Sequence, residues 1–192
     1  ADNAMHFKTV VKTAALRNGL YACFSPKPIP GQAGNGMHIN MSVKCSDGTD
    51  RSEAFLAGVL AHVREITAFL NPTEESYRRF GEMKAPRYIT WSPENRSQLI
   101  RIPAAKGEYR RIELRSPDPT ANPYLAYALL IHAGLDGIQK GMLPPQPVNE
   151  NLYTAPRSLT AALEQLPGSL TEAKQIARSS PFVTAILPEA ML

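Results

Sequence analysis

Residues 110–124 read Arg110-Arg111-Ile112-Glu113-Leu114-Arg115-Ser116-Pro117-Asp118-Pro119-Thr120-Ala121-Asn122-Pro123-Tyr124, and they take the chain from a strand to a helix. In extended backbone, residues two apart share a face about 6.5–7 Å apart. Arg111, Glu113 and Arg115 therefore form a charged row while Ile112 and Leu114 point into a core, which predicts a strand over Tyr109 to Arg115. Ser116-Pro117-Asp118-Pro119 ends it, since proline cannot donate to a ladder. Asn122 before Pro123 is an N-cap with proline at the first helical position, and the apolar run that follows predicts a helix to about Lys140.

Working outward, Met37 to Val43 alternates, with His38, Asn40 and Ser42 on one face and Met37, Ile39, Met41 and Val43 on the other. It follows Gly31-Gln32-Ala33-Gly34-Asn35-Gly36, whose glycines imply positive φ or close backbone approach. Met5, Phe7, Val10, Val11, Ala14 and Ala15 fall at helical spacing, with Asn18-Gly19 as a left-handed stop. Leu20 to Phe24 reads as a short strand. Asp50-Arg51-Ser52-Glu53 is a capping pattern ahead of a buried stripe of Phe55, Leu56, Val59, Leu60, Val63, Ile66 and Phe69. Thr73 to Phe80 reads as a short helix and Gly81 to Pro86 as a loop. Arg87 to Trp91 and Ser97 to Ile102 read as strands around a Ser92-Pro93-Glu94-Asn95 turn. The expected architecture is α+β: a curved, mostly antiparallel sheet with a polar inner face, backed by helices at 3–18, 52–70 and 123–140. Pro144, Pro145 and Pro147 mark a stiff connector, so residues 1–143 form the main unit and 144–192 a helical appendage, with a second capping box at Ser169-Leu170-Thr171-Glu172.

The 192 residues carry 21 Lys+Arg against 17 Asp+Glu, and the excess is local. Residues 78–115 hold ten basic and four acidic side chains, a charge of +6, and the rest of the chain sums to −2. Eight of those ten are arginines interleaved with core and turn residues, which argues for a local anion site and against a nucleic-acid coat. With 43% apolar and 20% charged residues, the chain can bury a core. It has no membrane-length apolar run and no signal-like N-terminus, so the cytoplasm is the expected compartment. Cys23 and Cys45 lack metal-ligand spacing and read as small buried or half-buried side chains without a disulfide. The chain reads from Ala1 as the middle of a fold, and we expect a domain cut from something longer.

The pentapeptide 111–115 alone fits two descriptions. One is a solvated strand whose charges neutralise each other. The other is a row that binds a phosphate, a divalent cation and a carboxylate side by side, with Arg suited to planar oxyanions and Glu113 to a hard cation. His38, Asn40 and Ser42 offer an imidazole, an amide and a hydroxyl on one strand face, suited to metal ligation and nucleotide hydrogen bonds. The glycine-rich loop is neither a P-loop nor a dinucleotide fingerprint. His6, His62 and His132 lie in helical stripes and read as structural.

Together these segments resemble a known family. Asn35-Gly36-Met37-His38-Ile39-Asn40-Met41-Ser42 is similar to the G-x-G-M-H-x-H/N-x-S segment of glutamine synthetases. Asn71-Pro72-Thr73 with Ser76-Tyr77-Arg78-Arg79 resembles N-P-x-x-x-S-Y-K/R-R. Asn95-Arg96-Ser97 through Arg101-Ile102-Pro103 resembles N-R-S-x-x-x-R-I-P, and Arg110 to Tyr124 resembles R-R-I-E-x-R-x-P-D-P-x-x-N-P-Y. The resemblance covers residues 1 to about 155 and points to the C-terminal part of a type I bacterial catalytic domain.

The resemblance implies ATP-dependent ligation of ammonia to L-glutamate through a γ-glutamyl phosphate. His38 and Glu113 would hold a Mg or Mn ion; Asn40, Ser42 and Arg111 would face ATP. Arg96 and Arg101 would steady the γ-phosphate and the transferring phosphoryl group. Gly34, Arg79, Arg96 and Arg115 would hold glutamate. The family's other metal carboxylates and its N-terminal β-grasp domain would lie upstream of Ala1, so the isolated chain should be inactive, and the full-length protein should be a large homo-oligomer with sites between subunits. Met83-Lys84-Ala85-Pro86 departs from the family's Y-E-A-P flap, which raises a second reading: a relative that ligates glutamate to an organic amine. Glu82 could stand in for the missing flap carboxylate by a shift of register. A non-catalytic nucleotide-binding homologue is a third reading. Ala33 and Ser116 depart from the usual Asn and Phe. Asn151-Leu152-Tyr153 resembles the segment where some members are adenylylated, but Thr154-Ala155-Pro156 lacks the acidic continuation, which favours a core or surface role for Tyr153.

Overall fold

The computed structural model describes residues 1–82, 84–104 and 110–192. Met83 of the flap motif and Tyr109 of the expected strand lie outside the described residues. The chain folds into a mixed α+β unit with a four-stranded sheet against helices, as the alternation of polar-faced strands and apolar helical stripes predicts. The strands are β1 (Ile39–Met41), β2 (Trp91–Ser92), β3 (Ile100–Arg101) and β4 (Ile112–Leu114), in the order β1-β4-β3-β2. The first helices are α1 (Asp2–Arg17), α2 (Ser52–Leu70), α3 (Glu74–Tyr77) and α4 (Pro123–Gln139).

Helix α4 starts where its sequence demands. The Asn122 side chain accepts from the Tyr124 amide and Pro123 occupies the first turn. Its buried residues Ala126, Leu129, Leu130, Ala133, Gly134 and Gly137 form one face. That face meets α2, whose stripe is buried as expected except for half-buried Phe69. The two helices cross almost in backbone contact. A Cβ on Gly58 would lie 2.2 Å from the Ala133 carbonyl oxygen, and one on Gly137 would lie 2.1 Å from that of Ala54. Leu99, Ile100, Ile112 and Leu114 pack the sheet into the same core.

The sheet register is what brings the polar row together. β1 and β4 pair antiparallel with Asn40 opposite Glu113, and β3 and β4 pair antiparallel with Arg101 opposite Glu113. Directly opposed residues share a face, so Glu113 sits between Asn40 and Arg101. β2 and β3, the strands read on either side of the Ser92-Pro93-Glu94-Asn95 turn, pair in parallel, Trp91 with Ile100 and Ser92 with Arg101. The cause is distant in sequence. Asn95, Ser97 and Gln98 all bond to the carbonyls of Asn149 or Glu150, which holds the connection out as a loop so that β3 re-enters in the same direction as β2. Leu20 to Phe24 also forms no strand: Leu20 and Tyr21 are exposed and no ladder partner reaches them among the described residues.

Helix α1 forms and stops at Asn18-Gly19, with Gly19 at φ +66°, yet it buries none of its residues. The cysteines are both free; Cys45 is half-buried, but Cys23 is exposed, contrary to expectation. Among the described residues no helix is long and apolar enough to cross a membrane.

The C-terminal segment folds onto the main unit. Trp91 Nε1 donates to the Pro145 carbonyl at 2.7 Å and the Val148 amide to that of Trp91 at 2.9 Å. Beyond a short α5 (Arg157–Thr160), α6 (Leu170–Ser179) begins with Ser169 accepting from the Glu172 amide and packs Ala173 and Ala177 into the core. α7 (Pro181–Ile186) and a 3-10 turn (Glu189–Met191) close the chain. His62, read as structural from sequence, joins three helices: Nδ1 lies 2.5 Å from Glu65, Nε2 lies 2.9 Å from Asp136, and the ring stacks on Phe182 at 3.8 Å.

Alanine is favoured over glycine inside a helix by about 1 kcal/mol, so Gly58→Ala tests the crossing by sign. The forced separation of α2 and α4 should outweigh that gain and leave a net loss of about 2 kcal/mol, read in chemical denaturation as a lowered midpoint. His62→Ala should cost about 2 kcal/mol through the lost bonds and ring stacking, measured as a lower melting temperature by circular dichroism.

Candidate functional site

Glu113 is the centre of the polar face. Strand alternation turns it away from the core that takes Ile112 and Leu114, and its side chain is only 9% exposed. One carboxylate oxygen lies 3.0 Å from His38 Nδ1; the other accepts from Arg101 Nε at 2.6 Å and faces Arg115 Nη1 at 3.3 Å. Burial alone would raise this carboxyl, but the hydrogen bond from Arg101 and the charges of Arg115, Arg101 and His38 outweigh it and hold it below the ordinary range. His38 is lowered, first by burial and then by Arg115, which keeps the ring neutral at pH 7. A neutral ring that donates from Nδ1 to the carboxylate leaves the Nε2 lone pair available, the arrangement in which imidazole binds a metal.

Could these residues hold a cation? Glu113 is ionised and His38 neutral, both as a ligand must be, and a carboxylate has about four lone-pair positions, of which three are engaged by His38, Arg101 and Arg115. The pair would be two ligands of a shared ion where that ion takes the place of the proton between Nδ1 and the carboxylate, because Nε2 and Glu113 lie on opposite sides of the ring. No group of three or more His, Cys, Asp or Glu suited to a metal occurs among the described residues, so further ligands would have to come from outside them.

Arg79 and Arg115 line the site beside this pair. Both are buried, at 2% and 4% exposure. Arg79 Nη1 donates to the Ser116 carbonyl at 3.1 Å and lies 3.6 Å from Asp118. Asp118 is fully buried and fixed on all sides: its carboxylate accepts from Asn71 Nδ2 at 3.0 Å and from the Thr120 amide at 2.9 Å. Burial lowers Arg79 and the Asp118 charge opposes that. Gly34 makes room for this arginine, since a Cβ there would come within 2.8 Å of Arg79 Cγ. Arg115 Nη2 reaches the Lys84 carbonyl at 3.5 Å, and Lys84 itself is exposed with φ +79°. The Nε donors of both arginines are buried and have no acceptor among the described residues.

The structure thus brings together His38, Glu113, Arg101, Arg115, Arg79 and Gly34. Asn40 joins from the neighbouring strand and accepts from Arg111 Nε at 3.1 Å. Ser42 is exposed farther along β1's extension, and Arg96 is exposed on the β2–β3 loop; neither bonds to the cluster among the described residues. Glu82 pairs with Lys27 at 3.2 Å. Sequence reading missed two supporting residues: Asp118, which pairs with Arg79, and Asn71, which donates to Asp118. The available signal was an aspartate between two prolines in an otherwise apolar turn, where a buried charge needs a cation.

A cluster of arginines around a buried carboxylate and a neutral imidazole has the chemistry to receive anions. The family model for the glutamine synthetase catalytic domain matches residues 1–192. The glutamine synthetases of Thermotoga maritima and Pyrococcus abyssi are 43% and 44% identical to it, over 98% and 99% of this chain, which spans 46% of the length of each, about half. Among solved structures, the GmaS/ADP complex superposes with a TM-score of 0.85 at 34% identity, over 98% of this chain and 47% of that one. GmaS without ligand gives 0.83 at 35% identity, over 98% of this chain and 46% of that one. By the polar strand faces, the fold that carries them and the matched length, the chain belongs to the glutamine synthetase catalytic-domain family.

Proposed function

We propose that, within its full-length protein, this chain supplies the phosphate- and glutamate-facing part of a cytoplasmic ligase that joins ammonia to the side-chain carboxylate of L-glutamate at the expense of ATP. The observation that carries this reading is the buried Glu113, held by His38, Arg101 and Arg115 next to two arginines with unsatisfied donors. Family membership and a solved relative captured with ADP support it. Residues 1–143 form the catalytic portion and 144–192 the connector and appendage that brace it. The remaining ligands come from the rest of the protein and from neighbouring subunits of a large homo-oligomer.

In this reading a glutamate side-chain oxygen attacks the γ-phosphorus, ADP leaves, and ammonia then displaces phosphate from the acyl carbon. His38 and Glu113 would hold Mg or Mn, whose charge neutralises phosphate oxygens. Arg101 donates to Glu113 from Nε, and its two terminal nitrogens, which bond to none of the described residues, would meet the γ-phosphate. Arg96, on the loop fixed by the C-terminal segment, adds a second cation. Asn40, Arg111 and Ser42 lie along the nucleotide side. Arg79 and Arg115 hold glutamate, with Gly34 admitting Arg79 beneath its loop.

Lys84 favours a second reading. A cation at the flap cannot attract ammonium, and the backbone carbonyl of the same residue accepts from the Arg115 that would hold glutamate. A nucleophile larger than ammonia would meet the flap differently.

Glu113→Gln in the full-length protein should lower kcat about 100-fold and weaken the dependence on added Mg, followed by ADP release. The 192-residue chain alone should show no glutamate-dependent ADP release. Comparing kcat/KM for ammonia and small alkylamines separates the two readings: a preference for ammonia supports the first, and a tenfold or greater preference for an alkylamine supports the second.

A further inference from the structure

The loop between β2 and β3 is tied down far more closely than a surface connection requires. It leaves β2 at Ser92, which the strand register sets beside Arg101. Glu94 then stands at φ +95°, a left-handed conformation that is costly for a residue other than glycine and persists only where the surroundings impose it. The bonds of Asn95 supply that constraint. Its Oδ1 accepts from the Ser97 amide and from Ser97 Oγ, both at 2.9 Å, which closes an Asx turn with Arg96 at its middle. Its Nδ2 donates to the carbonyls of Asn149 and Glu150 at 2.7 and 3.0 Å. On either side, Ser92 Oγ donates to Asn149 Oδ1 at 2.8 Å, the buried Gln98 Nε2 donates to the Glu150 carbonyl at 2.8 Å, and the Leu152 amide donates to Ser97 Oγ at 2.9 Å. The backbone before and after Arg96 is therefore pinned to the C-terminal segment. Arg96 itself is exposed, and its guanidinium has no hydrogen bond or ion pair among the described residues. A cation on a backbone ordered in advance pays less ordering cost when its anion binds.

We propose that Asn95 is a positioning residue for phosphoryl transfer: its side-chain amide shapes the turn that presents Arg96 and anchors that turn to the backbone of residues 149 and 150. The inference rests on the reading that Arg96 steadies the transferring phosphoryl group. It assigns the segment after the proline connector a part in the reaction, exerted through the backbone carbonyls of Asn149 and Glu150. Asn95 acts only through Arg96, so its effect disappears when the guanidinium is gone.

The test is a double-mutant cycle in the full-length protein, with Asn95→Ala, Arg96→Ala and the pair, read as kcat for glutamate-dependent ADP release at saturating ATP and glutamate. Arg96→Ala should lower kcat about 100-fold and Asn95→Ala about tenfold, and the pair should match Arg96→Ala alone to within about twofold. Asn95→Asp runs the same cycle if the alanine variant does not fold. It keeps the acceptor for the Ser97 amide, removes the donor to the two carbonyls, and should give the same pattern. An equal loss from the Asn95 change in both backgrounds would make the residue structural and overturn the inference, while leaving the reading of Arg96 intact. A kcat within about twofold of the parent for the Asn95 variant, with Arg96→Ala impaired, would overturn it as well. If Arg96→Ala leaves kcat unchanged, the reading of Arg96 fails and the inference fails with it.

Discussion

The carboxylate of Glu113 is the counterweight on which the polar face depends. Arg101, Arg115 and Arg79 are crowded into one region of low exposure, and like charges there repel far more strongly than at a surface. Glu113 touches two of them and His38, so it both screens the arginines and fixes their direction. Charge-assisted bonds of this kind are short and directional. The consequence is a set of donors whose direction is fixed in advance, which the proposed anion site would use without reorganisation at the moment of binding.

A second carboxylate does the same for the deeper arginine. Asp118 and Arg79 are buried almost completely, an arrangement whose desolvation is costly and whose interruption is costlier. Asn71 and Thr120 satisfy the remaining carboxylate positions, and the Asn71 amide also reaches the Ser116 carbonyl. The turn after β4, the residue after α2 and Arg79 just beyond α3 are thereby fastened at one point. Positioning in the site is thus inherited from the tight α2–α4 crossing that sets where Asn71 ends its helix.

Much of this was legible in the sequence, because its rules are local. Alternation along Arg111-Ile112-Glu113-Leu114-Arg115 and along His38-Ile39-Asn40 gave the faces, and Asn122-Pro123 gave the helix start. The adjacency of His38 and Glu113 followed from the resemblance, and antiparallel pairing of β1 with β4 realises it. What failed was long-range. A turn-like Ser92-Pro93-Glu94-Asn95 gives no sign of parallel strands unless Asn149 and Glu150 are known to bond to the loop that follows it. Leu20 to Phe24 has strand-like residues but no edge to join. Asp118 is a turn residue by local chemistry, and its pairing with Arg79, 39 positions earlier, has no local signature.

The connector from Pro144 to Asn149 has one more effect. It lies along β2, the outermost strand on that side of the sheet, with the Val148 amide bonded to Trp91 and prolines at 144, 145 and 147 that have no amide hydrogens to offer. A flank of this kind gives an incoming strand little to pair with. The opposite margin, β1, has no such cover among the described residues. Among the described residues the sheet is therefore one-sided: closed to extension beyond β2 and uncovered past the strand that carries Asn40.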